Sequence, residues 1–223
     1  MAKTATREAL VEQGALLFAR RGVAAVSARE LHAAVGSRNE SALHYHFGGR
    51  DGLVDEILRR HLQAIEDRRA HLVAGLAADE RTGEVRGLVH ALAAPMAADL
   101  GDPVGRAHLR IVAQLSHPSL GYQPPFRVTE APAGTAVVRW LGAALSGLPA
   151  PLRVERLAAL RAQLIGLFAQ RAQLIDDDPA GAARAPDDGL FVENLLDMLV
   201  AGLTAPPSPA ALARCSSPAS ANG

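Results

Sequence analysis

Cysteine is nearly missing from this chain of 223 residues: Cys215 is the one example, and it lies in a Ser/Pro/Ala-rich stretch near the end. Neither a disulfide framework nor a cysteine-bound metal centre is therefore available. Aromatic residues make up only 4% and β-branched runs are short, while alanine and leucine dominate. That balance favours helix over sheet. Basic and acidic side chains number 23 each, so the formal net charge is zero. A chain without overall excess of base must gather it locally if it is to hold nucleic acid. No apolar run reaches the ~20 residues of a bilayer-spanning helix, and the opening MAKTATREAL has no apolar middle of the signal-peptide kind. The expectation is a cytoplasmic protein with no membrane partner.

Signatures of catalysis are missing too. There is no His-Glu-x-x-His, no glycine-rich phosphate loop after a strand and no Gly-x-Ser-x-Gly elbow. His44-Tyr45-His46 has a ligand spacing suited to strands. On a helix, residues two apart diverge by about 200° and cannot close on one ion. No catalytic residue, metal or cofactor is expected, and the chain reads as a non-enzyme.

What is present is a patterned stretch from Ser27 to Leu53. Ser27 can cap a helix while Glu30, three residues on, reaches back to it, the reciprocal capping box. Ala28, Leu31, Ala34 and Val35 follow at helical spacing, and Gly36 is the residue best able to end the helix in a left-handed conformation. A second segment, Asn39 to Phe47, puts Leu43 and Phe47 one turn apart on a side that can seat against the first helix. Ser41 and Tyr45 point away, flanked by Ala42 and His44, with His46 between the two sides. Helix, turn and a second helix with a hydrogen-bonding outer side form a helix-turn-helix, whose second helix enters the major groove. Lys3, Arg7, Arg38 and Arg50 can supply local positive charge there.

Residues 7 to 58 resemble the N-terminal domain of TetR-family transcriptional regulators. The resemblance is carried by Leu17-Phe18-Ala19-Arg20-Arg21-Gly22, the cap Ser27, the turn Ala33-Ala34-Val35-Gly36, Leu43-His44-Tyr45-His46-Phe47 and Arg50-Asp51-Gly52-Leu53. Two features depart from the family pattern. The interval from Gly36 to Phe47 is one residue longer than usual, which leaves open whether Arg38, Asn39 or Glu40 begins the recognition helix. His44 stands where tyrosine is commoner, which leaves phosphate contact to His44, Tyr45 or both. The resemblance implies an all-α fold: an N-terminal three-helix helix-turn-helix domain, then a helical ligand-binding and dimerisation domain. The DNA-binding residues are then Ser27, Arg38, Asn39, Ser41, Ala42, His44, Tyr45, His46 and Arg50, the last beside the open N-terminus of a fourth helix.

Beyond the head, the fourth helix is expected from Arg50 to about Ala78, with further helices near 82–99, 104–116, 129–146, 152–176 and 188–203. The organisation is 1–49 DNA-binding, 50–204 effector-binding and dimerising, and 205–223 disordered for want of large apolar groups. A long Pro-rich loop spans His117 to Pro132. Helices 152–176 and 188–203 are apolar on more than one side, which demands a second subunit and, with it, a homodimer reading a palindromic double-stranded operator. In the resemblance the body helices enclose an effector cavity, for which His90, Met96, His108, Trp140 and Phe168 are the candidates. A small apolar or amphipathic effector suits such walls. The function expected is a ligand-responsive regulator acting as a repressor. The alternative is a helical dimer for protein–protein interaction, with the helix-turn-helix kept as a packing unit.

Overall fold

Helix α1, Ala2–Arg21, stops where Gly22 takes a φ of 91°, a conformation that a side chain would oppose. A 3-10 turn at Val23–Ala25 leads to α2, Ala28–Ala34, and then to α3, Ser41–Phe47. The protein is seen here as a computed structural model that describes residues 2–35, 41–116 and 131–216. Among the described residues there is no strand, and the all-α expectation holds. No single helix among them is long and apolar enough to cross a membrane.

The first three helices close around Leu10, Phe18, Leu31 and Leu43, all at most 2% exposed. Their core does not stop at residue 49. Helix α4, Arg50–Ala78, contributes Leu53, Val54, Ile57 and Leu58 to it, then runs on to place Leu72, Val73 and Leu76 in the core of the body. At 1.5 Å per residue this one helix spans about 43 Å, so both cores share a single rod.

The body continues with α5, Val85–Ala97, a 3-10 turn at Ala98–Gly101, and α6, Pro103–Leu115, whose first turn Asp102 caps by accepting from Gly105 N at 2.7 Å. Then follow α7, Pro132–Ala144, α8, Ala150–Asp177, α9, Pro179–Arg184, and α10, Asp188–Thr204. Helix α6 serves both cores: Ala107 and Ile111 pack into the head while Leu109 packs into the body. Gln114 near its end accepts from Val23 N at 2.9 Å and donates to the carbonyls of Phe18 and Ala19, which fastens the body to the end of α1.

Two short helices depart from expectation. Helix α9 is capped by Asp178, which accepts from Gly181 N. Helix α11, Pro209–Ser216, falls within the stretch expected to be disordered, where Ser208 accepts from Ala211 N and proline opens the first turn. Residues 217–223 and most of the expected His117–Pro132 loop lie outside the described residues.

Candidate nucleic-acid interface and effector cavity

The capping box at α2 forms as the sequence predicts. Glu30 N donates to Ser27 Oγ at 3.3 Å and Ser27 N donates to Glu30 Oε2 at 2.8 Å, while Arg21 holds the other oxygen of the same carboxylate. These bonds hold the Glu30 carboxyl below its usual pKa. Ser27 is thus both exposed and committed to the start of α2. On α3, Leu43 is 2% exposed and Phe47 packs at the edge of the head's core. The opposite side carries His44 and Tyr45, both exposed, Tyr45 at 70%. His46 stands between the sides with its ring edge-on to Tyr45, 5.0 Å between centroids. Tyr45 thus shows most of its amphipathic ring on the side of α3 away from the head's core.

Several expected contact residues behave differently. Ala42 is only 7% exposed and belongs to the head's core, since it lies one residue, about 100°, from Leu43. Arg50 does not stand free for phosphate. Its Nε donates to Val26 O at 2.8 Å, its Nη2 to Val23 O and its Nη1 to Asp51, so it ties the 3-10 turn to the start of α4. Arg7 bonds Glu56 at 2.7 Å and Glu8 at 3.3 Å and lies over the Phe47 ring. The base expected from Arg7 and Arg50 is therefore spent inside the head. Arg38, Asn39 and the turn residue Gly36 lie outside the described residues, as do the side chains of Lys3 and Ser41. Arg29, which the sequence reading passed over, is exposed on the first turn of α2 with no ion-pair partner among the described residues.

In the body, a cavity of about 570 Å³ opens between α4, α5, α6, α7 and α8. Its depth is walled by Leu58, Ile65, Leu109, Leu160 and Leu164, all buried, and its mouth by the exposed Val138, Ala158 and Arg161. Of the five candidates, Met96 lines it. His90 instead lines a shallower depression of about 380 Å³ near Glu193. Phe168 is fully buried in the body's core, edge-on to Phe191, and Trp140 packs against that core. His108 does not line the cavity; its ring lies 4.8 Å from that of the lining residue His61, tilted by 40°. The residues missed are those of α4. His61, Ile65 and Arg69 recur at four-residue spacing on its buried side, a periodicity legible in the sequence had the polar members been admitted to the apolar stripe.

Those polar members are held by neighbours. Arg69 pairs with Glu66 and donates Nε to Ala91 O at 3.2 Å; Glu66 Oε2 accepts from Ala133 N at 3.0 Å and Gly134 N at 3.1 Å, capping α7 from outside its own sequence. His61 Nδ1 lies 3.2 Å from Asp99 Oδ2, an oxygen that has no hydrogen bond among the described residues. Asp99 Oδ1 is held by Arg68 at 2.6 Å. Burial, with the charges of Arg68 and Arg69 adding to it, pushes His61 down to about 4. Burial and the neighbouring His61 push His108 down to about 4 as well. Burial raises Asp99 against the pull of Arg68.

Comparison with solved structures identifies the architecture. PfmR, a TetR-family transcriptional regulator from Thermus thermophilus, superposes with a TM-score of 0.52 over 87% of this chain and 98% of its own, at 20% identity. TetR-family regulators from Rhodococcus sp. and Pectobacterium atrosepticum give TM-scores of 0.45 and 0.41, at 18% and 22% identity, over 92% and 93% of this chain and 100% and 98% of theirs. No family model and no curated protein sequence matches the chain. At these identities the likeness is one of fold: an all-α chain with a helix-turn-helix head on a helical body, as in the TetR-family regulator from Thermus.

Proposed function

We propose that the protein is a dimeric, ligand-responsive transcriptional regulator, in the sense of a repressor, that grips a palindromic operator through α3 and lets go when an effector fills the cavity against α4. The observation that carries this is the outward side of α3: Tyr45 is 70% exposed while Leu43, two residues before it, is 2% exposed. The TetR-like fold supports the same reading. His44, Tyr45 and His46 are assigned to the groove, and Ser27 and Arg29 at the start of α2 to the flanking phosphates. Arg50 becomes a positioning residue. The domain division at residue 49 is kept for function, since the DNA-contacting groups all precede it. Release is a population shift, in which the effector binds better to a head spacing that no longer fits the groove.

The test is selection of bound fragments from genomic DNA, followed by titration on a selected site at several salt concentrations. Tyr45→Ala is expected to weaken binding by tenfold or more without changing oligomeric state. Arg29→Met should reduce the salt slope by about 1.8, the share of two phosphate contacts, one from each protomer, whereas Arg50→Met should weaken binding with the slope unchanged. Absence of any selected fragment, or full affinity in Tyr45→Ala, would overturn the assignment.

A further inference from the structure

The cavity against α4 has a marked charge asymmetry. Its lining includes two arginines, Arg69 and Arg161, and one histidine, His61, but no acidic side chain. Glu66, the nearest carboxylate behind Arg69, is fully engaged: one oxygen takes Arg69, the other takes the backbone N–H groups of Ala133 and Gly134 at the start of α7. Gly134 lines the cavity and backs this pair so closely that an added Cβ would stand 3.0 Å from Arg69 Nη1 and 3.1 Å from Glu66 Oε1. The inner arginine is thus neutralised and walled in. Arg161 is different: it is exposed at the mouth and has no ion-pair partner among the described residues. Between the two, the walls are leucine, isoleucine, valine and methionine, in a volume suited to a drug-sized molecule.

We propose that this cavity takes a monoanionic amphiphile, a carboxylic acid with an apolar body, inserted body first so that its carboxylate remains at the mouth on Arg161. At the mouth an ammonium head would lie beside the like charge of Arg161, with no acidic side chain in the lining to pair with it. A neutral alcohol gains the same apolar burial but not the charge-assisted bond. A guanidinium presents paired donors matched to a carboxylate, and one unpaired arginine answers a single negative charge better than a phosphate dianion. This rests on the cavity being the effector site of the function proposed above.

The experiment uses the full chain and two matched series, decanoate, decanol and decylamine, and 4-phenylbutyrate, 4-phenylbutanol and 4-phenylbutylamine, with binding followed by calorimetry. The acid of at least one series is expected to bind at least about fivefold more tightly than its alcohol, the scale of one charge-assisted hydrogen bond at a partly exposed site, and the amine more weakly than both. Arg161→Met should bring the acid to the level of the alcohol and leave the alcohol unmoved, while Arg161→Lys should restore part of the preference. Val138→Trp, which narrows the mouth at an exposed position, should weaken every member. The proposal is overturned if no member of either series binds, if both alcohols match their acids, or if Arg161→Met leaves the acid's affinity intact. Operator titration without ligand separates the two readings. DNA binding with no preference for acids removes this inference alone, and a preference for acids in a protein that selects no DNA removes the regulator while leaving the cavity assigned.

Discussion

His61 and His108 show what a buried position does to an ordinary side chain. Both imidazoles sit near pKa 4 in the folded protein, against about 6.5 in an unfolded chain, because burial disfavours their charged forms. With the folded pKa lowered, the unfolded state takes up protons first as pH falls. Stability is therefore complete above about pH 6.5 and is lost as pH falls toward 4. At about 1.4 kcal/mol per pKa unit each ring contributes up to roughly 3 kcal/mol, and less than twice that together since the two repel when charged. Asp99, raised by burial, works in the opposite sense and softens the slope. His108→Phe keeps a ring against His61 and removes one of the two titrations. Urea melts at pH 7.5 and 5.0 should then show a smaller loss of stability in the variant than in the parent; equal losses would rule His108 out as a source.

The junction of α3 and α4 is the element on which the proposed groove contact depends. Gly48 and Gly49 have φ of 72° and 131°, and a Cβ placed on Gly52 would stand 1.8 Å from the carbonyl oxygen of Phe47. The first turn of α4 is thus pressed against the end of α3. Gly52→Ala must force them apart, at a cost of about 3 kcal/mol to the head, the upper part of the usual range for overpacking. Operator binding should be lost while the body still dimerises, measurable by DNA titration beside sedimentation; retained affinity would mean that the two helices are not rigidly coupled. Much of this element was readable beforehand. The capping box at Ser27 and Glu30, the run from Arg50 to Ala78 and the seating of Leu43 are local patterns, fixed by spacing and propensity. The partners of Arg7, Arg50 and Glu66 were not readable, because each lies across a tertiary gap: Glu56 for the first, the carbonyls of Val23 and Val26 for the second, the start of α7 for the third. Charge counted along the sequence overstated the base available at the outward side of α3 for that reason. Of the cavity candidates Met96 lines the void and the other four do not, since which side of α5, α6, α7 or α8 faces a void depends on packing that periodicity alone does not determine.

At the scale of the whole molecule, the apolar excess of the last long helices divides unequally. On α8, Leu160, Leu164 and Phe168 are buried and Leu157, Leu167 and Ile175 pack against the chain's own core, leaving Ala159, Ala162 and Gly166 on the far side. On α10, Leu195, Leu196, Leu199 and Leu203 fill that core, while Leu190, Asn194, Met198 and Ala201 share an exposed side, Leu190 at 57% and Met198 at 55%, bordered by Glu193 and Asp197, which pair with Arg86. Small residues on one helix and open apolar ones on the next suit close approach by two copies of the pair, with each residue of a two-fold interface used twice. A charge placed there is likewise met by its own copy. Leu190→Glu with Met198→Glu therefore brings four carboxylates toward one interface while touching no core residue, and should give a folded monomer by sedimentation at micromolar concentration. Because two heads must meet successive major-groove faces about 34–36 Å apart, the monomer loses the gain of simultaneous engagement, and affinity for the full operator should fall at least about a hundredfold toward that of a half-site. A parent chain that is itself monomeric at those concentrations, or a double variant that still dimerises, would remove α10 from the interface and with it the spacing on which palindromic recognition rests.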